Sequence, residues 1–169
     1  MSVVGVEKDY DTLSLRLVAE FDAPIDAVWQ LWADARKLER WWGPSTHPAT
    51  VEDHELTVGG VVSYFMTGPE GETSRGWWRV TAVDPPRSLE FTDGFANRDG
   101  TPNAQTPTTD VTVRLSEQDG RTRMELRFAF ESGEHMKRLE RWGALDVFPQ
   151  SVAQMDAVLA ANDPNQEVP

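Results

Sequence analysis

The chain has 169 residues, a length that suits one domain, and its 39% hydrophobic content is enough for a packed core. A net charge of −12 disfavours nucleic acid and anionic membrane surfaces as partners, and the absence of cysteine excludes disulfides and thiolate chemistry. No apolar run reaches the roughly 20 residues that span a bilayer, and the N-terminus lacks a basic-then-apolar leader, so a cytoplasmic protein is expected.

Residues 1–11 read as an N-terminal extension. From Thr12 to Phe21, Leu13, Leu15, Leu17, Ala19 and Phe21 alternate with more polar residues, which predicts a half-buried strand. Pro24 stands at a helix start, and Ile25, Val28, Trp29 and Trp32 follow at helical spacing. Asp34 caps a second short helix, Ala35 to Trp42, which Gly43-Pro44 ends. Trp41 and Trp42 are adjacent at that corner, about 100° apart on a helix, so one can face inward while the other seals the helical hairpin or lies at the mouth of a cavity.

Strands follow. They are a weak one from Ala49 to His54, one carrying Val62, Tyr64 and Met66, and one from Arg75 to Val83 that Pro85-Pro86 ends. Another begins at Leu89 to Thr92. Residues 96–107 (ANRDGTPNAQTP) are nearly devoid of apolar content and read as a long loop, suited to a lid or a passive connection. Asp110 to Ser116 and Arg123 to Glu131 form a hairpin around Asp119-Gly120. Leu139, Trp142, Leu145, Phe148, Val152, Met155 and Leu159 then define one apolar face of a long C-terminal helix, which Gly143 and Pro149 should break or kink. Residues 161–169 read as a disordered polar tail.

This order of elements resembles the helix-grip fold of the START-like, or SRPBCC, superfamily. Within it the chain is similar to the family named after the activator of heat-shock protein 90 ATPase. The residues that carry the resemblance are AEFDAPIDAVWQLWAD at 19–34, LERWWGP at 38–44, VGGVVSYFMTGPEG at 58–71 and VDPPRSLEFTDGF at 83–95. It covers roughly residues 12–160. It implies an α+β domain in which a curved antiparallel sheet of six to seven strands wraps a long C-terminal helix, with two short helices after the first strand. It also implies a cavity between sheet and helix. The superfamily carries binders, cyclases, hydrolases and chaperone regulators on one scaffold, so function is argued from residues.

Trp32, Trp42, Tyr64, Met66, Trp78, Phe91, Phe95, Phe128, Trp142, Phe148 and Met155 are the candidate ligand-binding set. Ordinary core packing is the competing account of each. A wall of apolar groups with few polar ones suits a small apolar or aromatic ligand, and Tyr64 is the best polar handle. Asp93 alternates with Leu89 and Phe91, so it could face the cavity as an acid–base group. A strand-end or turn residue beside Gly94 is the favoured account. His47 and His54 fall on opposite strand faces and His135 opens the C-terminal helical part, so no metal set is expected. No nucleophile elbow, phosphate loop or dinucleotide fingerprint is present, no cofactor is implied and no catalytic residue is assigned.

Three functions stay open: binding a small apolar molecule, a polyketide-cyclase-like or hydrolase-like reaction in the same cavity, and regulation of a chaperone ATPase. A homodimer through an exposed Trp41 or Trp77 also stays open.

Overall fold

A computed structural model describes residues 3–161. Eight antiparallel strands form one sheet: β1 (Val3–Asp9), β2 (Ser14–Phe21), β3 (Ala49–His54), β4 (Val61–Thr67), β5 (Thr73–Asp84), β6 (Ser88–Ala96), β7 (Thr109–Gln118) and β8 (Arg121–Phe130). Their order across the sheet is β1-β2-β8-β7-β6-β5-β4-β3. Two helices, α1 (Ile25–Ala33) and α2 (Ala35–Trp41), carry the chain from β2 to β3 on the far edge. Three more close the chain: α3 (Gly133–Arg141), α4 (Ala144–Ala153) and α5 (Met155–Ala161).

The sheet has eight strands rather than six to seven. The extra strand is β1, drawn from the expected N-terminal extension. Only Val3 and Asp9 at its ends are partly buried, so an outward-facing edge strand leaves no period-two hydrophobic signal. Alternation did locate the inner face of the other strands. Leu15, Leu17, Ala19 and Phe21 of β2 are buried, as are Met124, Leu126, Phe128 and Phe130 of β8. Register shifts in β1, β3 and β5 locally bend the sheet.

The cover is three helices, not one long helix. Gly143 adopts φ 77°, a left-handed conformation that glycine accepts at little cost, and it separates α3 from α4. Pro149 lies inside α4, and the next break falls at Gln154, whose N–H turns back to the Ser151 carbonyl. α4 docks on the sheet through Phe148, stacked on Phe128 with ring centroids 4.2 Å apart. The polar tail lies outside the described residues except for Ala161, the last residue of α5. Among the described residues no helix is long and apolar enough to cross a membrane.

Local chemistry holds α1 and α2 in place. The Asp34 side chain accepts from the N–H groups of Arg36 and Lys37, capping α2 as expected. On the same helix, Arg36 donates to the Val51 carbonyl, and Glu39 accepts from the Val51 N–H at 2.9 Å. These two contacts occupy polar groups on the outer edge of β3, which would otherwise be an open pairing edge. Gln154 donates to the carbonyls of Gly43 at 2.7 Å and Trp41 at 3.2 Å, joining the C-terminal helices to the corner after α2. Gln154→Ala leaves those two acceptors unpartnered and should lower stability by about 1–3 kcal/mol, read as a reduced urea midpoint at unchanged slope.

Candidate functional site

A cavity of about 190 Å³ lies between the inner face of the sheet and α3–α4. Trp41, Trp42, Tyr64, Phe95, Phe128 and Phe148 supply its aromatic wall. Met66, Leu126, Leu139 and Val152 add aliphatic surface, and Asp93, Thr109, His135 and Ser151 add polar groups.

Trp41 and Trp42 divide the work at the corner. Trp41 ends α2 and is 1% exposed; its indole N–H donates to the Leu31 carbonyl at 2.8 Å and so seals the α1–α2 hairpin. Trp42 leaves the helix in extended backbone and is 7% exposed. Its ring packs edge-on against Trp78 at 4.9 Å and Tyr64 at 5.9 Å. Trp41 is therefore no exposed contact for a second copy. Trp77 is half-buried on the outer face, where its N–H donates to the Phe95 carbonyl and its ring lies over Gly94.

The polar centre is the pair Tyr64–Asp93. Tyr64 on β4 is paired with Gly76 on β5. A Cβ at Gly76 would sit 2.3 Å from the Tyr64 hydroxyl oxygen, so only glycine lets the phenol lie across β5. The hydroxyl then donates to Asp93 Oδ1 on β6 at 2.9 Å. Burial pushes the Asp93 carboxyl up to about 7; the hydrogen bond from the Tyr64 hydroxyl and the nearby Trp78 N–H act in the other direction. Burial, then the Asp93 charge, pushes the Tyr64 phenol well above its ordinary value.

The indole N–H groups of Trp42 and Trp78 stabilise the charged forms of this pair, yet neither completes a geometric hydrogen bond. An unpaired buried donor costs about 1–3 kcal/mol, and the Trp32 N–H in the packed core is a third such donor.

The favoured account of Asp93, a strand end or turn beside Gly94, is overturned. β6 continues through Gly94 to Ala96, and Gly94 is a strand residue that makes room for the Trp77 ring. Asp93 pairs with Trp78 and Thr109 in the ladder and extends the inward series Leu89, Phe91.

Of the eleven candidate residues, Trp42, Tyr64, Met66, Phe95, Phe128 and Phe148 line the cavity. Phe95 is 43% exposed and stands at the mouth. Trp32, Trp78, Phe91 and Met155 belong to the packed core behind the wall, with Trp78 stacked on Phe91 at 3.9 Å. Trp142, the C-cap of α3, is 66% exposed beneath Arg138 and lies outside the lining.

Sequence reasoning missed three polar wall residues. Thr109 is one alternation step before Val111, and Ser151 falls between Phe148 and Val152 on α4. His135 is four residues before Leu139, one helical turn away. Each signal was present in the periodicity but fell on a polar residue. His135 is buried, which lowers its pKa, and its Nδ1 accepts the Glu131 N–H at 3.3 Å. The proton of the neutral ring is then on Nε2. His54 donates from Nε2 to the Trp32 carbonyl, away from His47. Among the described residues no three His, Asp or Glu side chains gather as a metal set. The 96–107 loop is tied down at its base by the Asn103 N–H to the Phe95 carbonyl, and Pro107 joins the cavity wall.

A sheet wrapped on C-terminal helices, with a walled cavity between, defines a helix-grip protein of the SRPBCC class. A family model described as "Activator of Hsp90 ATPase homolog 1-like protein" matches residues 22–160, and the chain belongs to that family. A solution structure of a protein from Arthrobacter aurescens is 45% identical over 99% of this chain and 100% of its own, with a TM-score of 0.91. The crystal structure of protein Ms6760 from Mycobacterium smegmatis is 44% identical over 95% of this chain and 98% of its own, with a TM-score of 0.85. An AHSA1 protein from Silicibacter pomeroyi is 28% identical over 88% of this chain and 98% of its own, with a TM-score of 0.68. No protein in the curated comparison matches this chain.

The Asp93 carboxyl titrates near 7 when folded and near 3.8 in its ordinary state. Between those values the folded state holds the proton that the unfolded chain has released, so stability falls as pH rises through this window. The full loss, roughly 3–5 kcal/mol, is expressed above the folded value. His135 works in the opposite sense, since its lowered pKa costs stability as pH falls. Comparison with Asp93→Asn isolates the Asp93 part: urea unfolding should show the variant gaining on wild type as pH rises from about 4 to about 8.

Proposed function

We propose that this chain binds a small apolar or aromatic molecule between its sheet and its C-terminal helices. The observation that carries this reading is a mostly apolar wall into which one acid–hydroxyl pair, Asp93 and Tyr64, is set. Ligand sites are commonly built this way, with apolar area for affinity and a few polar groups for orientation. The volume sets the scale. A buried apolar cavity of about 150 Å³ holds benzene, so about 190 Å³ suits one ring with a short substituent. Exposed Phe95 and the Pro107 end of the 96–107 loop flank the entry.

Native mass spectrometry of the purified protein should show a mass excess that disappears on denaturation. Val147→Trp narrows the cavity from α4 and should remove the excess while the protein remains folded. An excess that persists in the variant would place the molecule elsewhere.

The Asp93–Tyr64 pair also favours a second reading, a polyketide-cyclase-like or hydrolase-like enzyme. A carboxyl near 7 is matched to proton transfer at neutral pH. On that reading the rate with a cyclisable or hydrolysable substrate rises through about pH 7 as Asp93 becomes a base, and Asp93→Asn removes both limb and turnover. A rate unchanged in Asp93→Asn would exclude Asp93 as the base.

A further inference from the structure

The inference rests on the reading that the cavity holds a small molecule, and it concerns that molecule's charge. Three groups that can titrate line the wall: Asp93, Tyr64 and His135. Tyr64 is held neutral by burial and donates its proton to Asp93 Oδ1. His135 is also biased toward its neutral form by burial, and its Nδ1 is occupied by the Glu131 N–H. No lysine or arginine is among the lining residues. The one charge the wall can present is therefore the Asp93 carboxylate.

That carboxylate is preorganised. Oδ1 takes the Tyr64 hydroxyl, the Trp78 N–H stabilises the charged form, and Oδ2 accepts no hydrogen bond from the described residues. An anionic guest would find no counter-ion in the wall and would meet a like charge. A cation would find Oδ2 as its acceptor and aromatic side chains in the same wall, groups that suit organic ammonium ions. The net charge of −12 draws cations toward the protein as well.

We propose that the cavity selects small aromatic amines, held as ammonium ions that donate to Asp93 Oδ2 with the ring against the aromatic wall. A carboxylate of the same size is rejected, and a neutral alcohol is bound more weakly.

The test compares four one-ring probes at about pH 8, above the Asp93 value of about 7. Benzylamine, benzyl alcohol, benzoate and toluene are titrated against the intact protein, with tryptophan fluorescence and ligand-observed NMR as readouts. Benzylamine should bind at least about tenfold more tightly than benzyl alcohol, with benzoate undetected. Asp93→Asn should abolish the preference for the amine. Benzyl alcohol or benzoate binding as tightly as benzylamine to wild type overturns the inference, and that ranking decides it even if Asp93→Asn does not fold. Toluene binding without benzylamine binding overturns the charge selection alone. No response to any probe overturns the cavity reading and the inference together.

Discussion

Gly43 adopts φ 98°, and a Cβ there would fall 2.8 Å from the His47 carbonyl oxygen and 3.1 Å from the Met66 Cε. The chain after α2 can turn this tightly only at a glycine. The turn leaves Trp41 helical and Trp42 extended, and so sends both rings inward from adjacent positions. Burying each contributes roughly 4–6 kcal/mol as an upper bound. Three parts of the molecule meet at this corner. Trp41 ties the α1–α2 hairpin, Trp42 packs on β4 and β5 through Tyr64 and Trp78, and Gln154 reaches the Trp41 and Gly43 carbonyls from the end of α4. The sheet and the helical cover are thereby held on a shared aromatic joint.

The same economy of side-chain volume shapes the cavity floor. Glycine at 76 lets Tyr64 cross a neighbouring strand on the inner face, and glycine at 94 lets Trp77 do so on the outer face. The inner crossing brings a phenol to a carboxylate on a strand that is not its neighbour. Asp93 is then an acid among rings, with a hydrogen bond that favours its charge and burial that opposes it. The opposition is what brings the carboxyl into the neutral range. A fold optimised only for stability would fill this position with an apolar residue, since burying a charge is costly.

Much of the scaffold was legible because it rests on local rules. Asp34 capped α2 as its side chain predicts, and the alternation in β2, β7 and β8 matched buried positions. The Asp119-Gly120 hairpin also formed, with both residues at positive φ. The misses share a physical cause as well. β1 carries almost no buried side chains, so hydrophobic periodicity had nothing to register. Trp142 sits in phase with Leu139 and Leu145 on paper, but α3 ends at this residue with its ring in solvent, and the left-handed turn at Gly143 resets the rotation for Leu145. The Asp-Gly pair at 93–94 looks like a turn until Trp77 is seen to need the space above Gly94.

By itself, the sequence determined the α+β class, the inner face of most strands, the two short helices and the aromatic stock from which a wall could be made. These follow from side-chain alternation, capping and turn chemistry, which act over a few residues. Only the tertiary structure decided which aromatics are wall and which are core. It also decided that Asp93 meets Tyr64 across Gly76, and that His135, Thr109 and Ser151 face the same space. Those outcomes depend on strand order and register, which bring positions 64, 93, 109, 135 and 151 together from three strands and two helices. Whether a carboxylate becomes a surface charge or a buried acid is set by the elements that close over it, and no local pattern carries that information.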